Sequence, residues 1–379
     1  MRKSLTVFAC VMHACMTVGI ASIDVVTLVP DALADCGEQG SHRVRIVYDD
    51  FQEGFSADTP TAKWFYFSTG SFVGNDGIAS TSGRGLHVRA AGTNAVTGEP
   101  AFSKTLAPES QNGGIPGGVD HVKWLVYANH LASSGFPGFD AMRGKEVACE
   151  WRLSGRTFGN RFHPFGNNVH NANDDLRLSA YAATTIDFET FMVFDWIVTN
   201  ETVYAFYERL PFGRGPTLGD YAAFSFSIPV APTRPGQAHH LKTAYDRTNH
   251  RVRWVLDGEE VFSVSRLGFR IDRKYMTLDH GGTEMTVRPR QLLCGMGMFT
   301  LLDAHLPSQI GLVKLSEAPG FYFNPARGQP NVETFVDPLS LVGSRLFGQG
   351  AELEVKKVLV SYTDIRDRDR DQDDADDED

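Results

Sequence analysis

The stretch Arg251–Val264, RVRWVLDGEEVFSV, joins two β-prone runs through Asp257-Gly258. Asp-Gly supplies the positive φ angles that a two-residue hairpin turn requires, so the segment reads as an antiparallel hairpin. In the first run Val252, Trp254 and Leu256 fall on one face, because side chains alternate along a strand. Runs of the same kind recur outward from it: RVRIVYDDF (43–51), GLHVRAAG (85–92), VACEWRLSG (147–155), DLRLSAYA (175–182) and ELEVKKVLVSY (352–362). A second hairpin is expected at Thr199-Asn200, between FMVFDWIV and TVYAFYERL. Loops are expected at the Gly/Pro/Asn clusters SQNGGIPGGVD (110–120) and FHPFGNNVHNAND (162–174). Residues 262–306 fit either a short helix or a long cleft loop. Short strands with turns every ~8–12 residues and almost no helical periodicity predict an all-β sandwich rather than βαβ units.

The chain has 379 residues, 42% of them hydrophobic, enough for one large β domain with a substantial core. Its 26 Phe, 11 Tyr and 5 Trp are of the kind that fills sandwich cores or lines binding clefts. The net charge of -10 is concentrated at the end, where DIRDRDRDQDDADDED (364–379) holds ten acids against three arginines. That tail is expected to be disordered and solubilising. With no basic patch, nucleic acid is excluded as an expected partner. The opening MRKSLTVFACVMHACMTVGIAS has a basic start and a short apolar run, the pattern of a secretory signal, with a cleavage site at Ala32-Leu33-Ala34. The expected organisation is a signal peptide over 1–34, a β-sandwich domain over 40–363 and the tail over 364–379. A secreted protein without a membrane span follows. Cys36, Cys149 and Cys294 then remain, allowing one disulfide whose pairing the sequence does not choose. Asn200-Glu201-Thr202 is a glycosylation sequon in a predicted turn, usable in a eukaryotic host.

The unit YDDFQEGF…KWFYF…GNDGIASTSGRGLHVRAAG (48–92), together with HHLKTAYDRTNHRVRWVLDGEEVFSV (239–264), resembles concanavalin-like jelly rolls of laminarinase- and licheninase-type glucanases and legume-type lectins. This resemblance implies a single large jelly-roll β-sandwich. DFETFMVFDWIVTNETVYAFYERLPFGR, YAAFSFSIPV, LDHGG and CGMGMFTLLDA are similar to an uncharacterised domain-of-unknown-function family of actinobacteria and fungi, which implies no activity.

Three acids stand at odd positions of IDFETFMVFDW (186–196), read as one strand: Asp187, Glu189 and Asp195. Its even residues Phe188, Met192, Phe194 and Trp196 are expected to face the core. Asp187 and Glu189, two apart on one face, have workable spacing for the two carboxyls of a retaining glycosidase. The glucanase order of Glu-x-Asp-x-Glu is absent, so a solvated or hydrogen-bonded structural face stands beside that reading. Glu208 is expected to interrupt an aromatic face made by Tyr204 and Phe206. As a buried carboxylate it needs a partner such as Arg177 or Arg209, unless it is a catalytic acid with raised pKa. Asp279-His280 before two glycines offers an acid/base pair on a tight loop, or simply a turn cap.

These residues support two functions. In the first, a secreted carbohydrate-binding or carbohydrate-active protein, Trp254, Tyr204 and Tyr207 stack on sugar rings while Asp187, Glu189 and Arg177 bond hydroxyls. In the second, a cofactor-independent isomerase or cyclase of secondary metabolism, Glu208, Arg209, Asp279 and His280 act in an aromatic pocket with the methionines of CGMGMF. The expected partner is thus a carbohydrate or a small molecule. No metal-ligand spacing, Ser elbow, Walker loop or dinucleotide fingerprint occurs, so no cofactor is expected.

Overall fold

A computed structural model describes residues 43–365, apart from 71, 93–101, 103–106, 115–121 and 308. The expected signal peptide, Cys36 and all but the first two residues of the acidic tail lie outside the described residues. Two antiparallel sheets face each other. The first runs Glu259–Val264, Arg251–Leu256, His239–Asp246, Lys145–Phe158, Gly350–Asp364, Gly85–Ala90, Gly77–Ser82, with Val44–Asp49 paired to one end of Gly350–Asp364. The second runs Met276–Asp279, Phe224–Pro232, Thr202–Arg209, Met192–Val198, Ala180–Asp187, Gln291–Phe299, Trp124–Ala128, Trp64–Tyr66. The all-β jelly-roll sandwich and both expected hairpins are present, with Asp257 at φ 53° and Gly258 at φ 106° in the first.

The core lies between the sheets. Phe194 of the second sheet stacks toward Tyr245 at 6.3 Å and meets Trp254 of the first edge-on at 6.2 Å. The Trp254 indole donates to the Asp195 carbonyl at 2.9 Å, so this side chain also ties sheet to sheet. Cys149 and Cys294, one on each sheet, form a disulfide. This resolves the pairing that the sequence left open.

Two strands differ from expectation. IDFETFMVFDW is a strand end, a turn over residues 188–191 and a new strand, with Asp187 paired to Met192. Asp187 makes the turn: its carboxylate accepts from the Glu189 amide and the Thr190 hydroxyl, its carbonyl accepts from the Phe191 amide, and Phe191 takes φ 60°. Phe194 and Trp196 still face the core, as the even face was expected to do. DLRLSAYA begins as a turn, because Asp175 accepts from the Arg177 amide, and becomes strand only at Ala180. Within 262–306 lie a single 3-10 turn (Arg273–Tyr275) and the strands Met276–Asp279 and Gln291–Phe299.

Candidate functional site

Residues opposite in parity to Phe194 point away from the core, onto the outer face of the second sheet. Glu208 sits there, paired across the strands with Val193 on one side and Ser225 on the other. The face is roofed by residues 300–347. Their backbone is pinned to the sheet where the Leu301, His305 and Phe323 amides donate to the carbonyls of Leu176, Thr277 and Asp279. Leu302, Leu312, Val313 and Leu315 pack with Phe165, Val169, Leu178 and Phe347 into a second, smaller core that holds this roof.

Beneath the roof three acids converge: Asp195 and Glu208 from the sheet and Asp303 from the roof, 6%, 3% and 1% exposed. Glu208 accepts a hydrogen bond from the Ser225 hydroxyl. Burial, with the neighbouring charges of Asp195 and Asp303 adding to it, pushes its carboxyl up to about 8. Among the described residues no arginine pairs with it: Arg177 is bound to Asp175 at 2.6 Å, and Arg209 lies over the Tyr221 ring at 3.8 Å. Asp303 accepts from the Tyr322 hydroxyl at 2.8 Å, and burial raises it to about 7. Around neutral pH, Glu208 is therefore largely protonated in a buried site.

Tyr322 is also the wall between these acids and a pocket of about 450 Å³ in the roof, lined by Lys314, Glu317, Phe321, Tyr322, Glu333 and Phe335 among others. Glu333 is fixed in that wall by Asn324 at 2.8 Å and His305 at 3.3 Å.

The other expected site residues are distributed elsewhere. Asp187 is fully buried; burial raises its pKa even though Thr190, Gln291 and the Glu189 amide all bond it. Glu189 lies beside it in the turn, and a two-pronged bond from Arg290 at 2.6 and 2.8 Å holds it below the usual carboxylate range. Burial alone would raise Asp279, but the Gly281 amide, Arg270 and Arg273 outweigh it and leave the carboxylate low. His280 donates from Nδ1–H to the Phe321 carbonyl, and burial presses its pKa down to about 4, leaving it neutral at pH 7. Tyr204 reaches Asp174 at 3.1 Å on the outer face. Tyr207 and Trp254 are 0% exposed, with both rings in the inter-sheet core and no face left for a sugar. Met296 and Met298 also face the core, opposite Ala183 and Tyr181, while Gly295 and Gly297 occupy the outer face; both methionines are fully buried in that core.

The reading of the sequence missed Asp303, Tyr322 and Ser225. The available signal was the single acid inside the apolar run TLLDAHL (300–306), which has no reason to be apolar on both sides unless it is covered.

Residues 48–364 match the Family of unknown function (DUF6081), and the chain belongs to that family. A relative, the uncharacterised protein L829 of Acanthamoeba polyphaga mimivirus, is 30% identical over 62% of this chain. The chain spans 61% of that curated relative's length. A viral relative gives no support to the actinobacterial and fungal distribution that the resemblance implied. Among solved structures, similarity is found to the κ-carrageenase of Pseudoalteromonas carrageenovora (12% identity, 87% of this chain and 98% of that one, TM-score 0.37). The endo-1,3-β-glucanase of Streptomyces sioyaensis is also similar (14% identity, 81% and 99%, TM-score 0.31). At these scores neither comparison carries chemistry to this chain.

Proposed function

We propose that this protein is a secreted, carbohydrate-active β-sandwich in which Glu208 protonates the leaving oxygen of a glycosidic bond. The observation that supports it is the state of Glu208: a carboxyl held to about 8 on the outer face of a jelly-roll sheet, with Asp195 and Asp303 beside it. A general acid works best with a pKa near the operating pH, and these surroundings put it there. Substrate enters by the pocket in the roof and meets Tyr322 first; displacement of that ring opens the acids. The Cys149–Cys294 disulfide favours an oxidising compartment, in keeping with export.

The test is a panel of purified polysaccharides incubated with wild-type protein, Glu208→Gln and Glu189→Gln, with new reducing ends and transfer products measured. Wild type is expected to release product from at least one, with Glu208→Gln slower by about 10²-fold or more. Glu189→Gln, which tests the Asp187/Glu189 pair, is expected to run close to the wild-type rate. Absence of both cleavage and retention on every polysaccharide sinks the reading; a loss confined to Glu189→Gln moves the site to the turn.

The two near-neutral acids in an enclosed site also favour a second reading, proton shuttling by a cofactor-independent isomerase or cyclase of secondary metabolism. It would rest on Glu208 and Asp303, since Asp279 is held by two arginines and His280 is neutral. Deuterium wash-in from solvent into a small-molecule substrate, without glycan cleavage, would select it.

A further inference from the structure

At one end of the sandwich, where the strand Lys145–Phe158 meets the Thr199-Asn200 turn, lies a pocket of about 420 Å³ whose lining includes none of Asp195, Glu208 and Asp303. Its lining is basic, amide-bearing and aromatic, and includes no acid: Arg89, Arg156 and Arg161, the amides of Asn173 and Asn200, and the rings of Phe158 and Phe162. We propose that this is a binding site for an anionic saccharide, carboxylated or sulfated, separate from the site of Glu208.

Charge is the first argument. Arg89 and Arg156 share one carboxylate, Glu352, at 2.9 and 2.5 Å. Arg161 forms no ion pair among the described residues and lies over the Phe162 ring, 4.7 Å from its centre. Three guanidinium groups against one acid leave a surplus of positive charge facing the pocket. Guanidinium recognises carboxylate and sulfate oxygens by paired N–H donors. The Arg89 guanidinium stands 4.4 Å over Phe158, and such stacking orients a guanidinium that remains open to solvent and to a ligand.

Size and polarity then argue for a sugar over a bare anion. A space of about 420 Å³ falls within the ~300–1,000 Å³ of small-molecule sites and far exceeds one inorganic ion. Asn200 is locked in place, its Oδ1 accepting from the Thr157 amide at 2.8 Å and its Nδ2 donating to the Thr157 carbonyl at 3.0 Å. A carboxamide has two donors and two lone pairs, so one of each stays available for hydroxyls. The same geometry bears on the sequon: Asn200 faces the pocket with its amide nitrogen engaged, so glycosylation would require these bonds to break. The floor is formed by close approach of Gly159, at φ 74°, to Gly348; a Cβ at 159 would overlap the Gly348 carbonyl.

Isothermal titration tests this with the full chain and four probes: oligogalacturonate, a sulfated dextran fragment, neutral dextran of matched length and inorganic sulfate. At least one anionic probe is expected to bind, weakening as salt rises, with no binding of neutral dextran. Arg161→Ala, at an exposed position outside every ion pair, is expected to weaken it about tenfold. Binding of neither anionic probe, binding indifferent to Arg161→Ala, or inorganic sulfate binding as tightly as the saccharides would each overturn the proposal. Because the readout is binding at Arg161 and not turnover at Glu208, it can fail or succeed independently of the catalytic reading.

Discussion

Two glutamates, one in each sheet, are buried almost equally and end in opposite protonation states. Glu150, in Lys145–Phe158, has a fully buried side chain and is met by Arg43 at 2.7 Å, Arg45 at 2.8 Å, Ser361 at 2.6 Å and His240 at 3.2 Å. Burial pushes its carboxyl up, but the bonds from His240 and Ser361 and the charges of Lys242 and Arg43 overwhelm that and hold it well below the usual range. Glu208 has the same burial, one hydroxyl, and two further acids for neighbours, and rises to about 8. Depth does not set the charge of a buried carboxyl; its company does. One outer face is thereby an ion-pair surface and the other holds a protonated glutamate under a roof.

The disulfide binds these two environments together, because Cys149 points into the core from the position next to Glu150 and meets Cys294 of the other sheet. It closes a loop with a sequence separation of 145, for which chain-entropy arguments give about 5 kcal/mol. Replacing both cysteines by Ala is expected to cost about that much and to abolish the sensitivity of thermal unfolding to reductant. If wild-type and double-variant melting curves coincide, the sheets are held by apolar packing alone.

Glu150→Gln comes next. Removing one member of a buried charged group costs about 3–5 kcal/mol, but Arg43 and Arg45 are 37% and 46% exposed and water compensates them, so about 2 kcal/mol is expected at pH 7. The sign with pH follows from the depressed folded pKa: the contribution is complete above the unfolded value of 4.5 and fades as pH falls below it. Denaturant titrations of wild type and variant should therefore converge toward acid pH. Curves that stay parallel would mean that Glu150 acts by shape and not by charge.

How much of this was legible beforehand depends on whether the deciding group was local. Asp257-Gly258 announces its hairpin because the positive φ angles are written in the dipeptide. The turn at 188–191 is not announced: it is made by the Asp187 side chain and by a phenylalanine, not a glycine, at φ 60°. Alternation correctly grouped Tyr204, Phe206 and Glu208 on one face, and Phe194 with Trp196 on the other. It could not say which residues met ligand, because the roof buries the outer face as well, and strands such as Met192–Val198 are buried at every position. Trp254 and Tyr207 were therefore read as sugar-stacking aromatics when they are core. Asp303 was invisible for the opposite reason, as a lone loop acid whose importance comes entirely from what the chain folds it against.

Near pH 4.5 the smallest expected change is the one that isolates Glu208, and it grows as the pH rises. Glutamine is nearly isosteric with a protonated glutamate, so Glu208→Gln should alter stability near pH 4.5 by less than about 1 kcal/mol, the scale of one hydrogen bond exchanged for another. The difference appears on raising the pH. With an unfolded value of 4.5 and a folded value of about 8, the native state holds a proton that the unfolded chain has released, so wild-type stability declines across that window by up to about 1.4 kcal/mol per pH unit. Glutamine removes this decline. Asp303, raised from 3.8 to about 7, keeps a decline of the same sign, so the variant's curve flattens without becoming level. Urea unfolding at pH 4.5, 6 and 8 should show the variant equal to wild type at the first and increasingly more stable at the others. A constant offset across all three would mean that Glu208 is ionised in the native state, which would remove the proton donor on which the proposed chemistry depends.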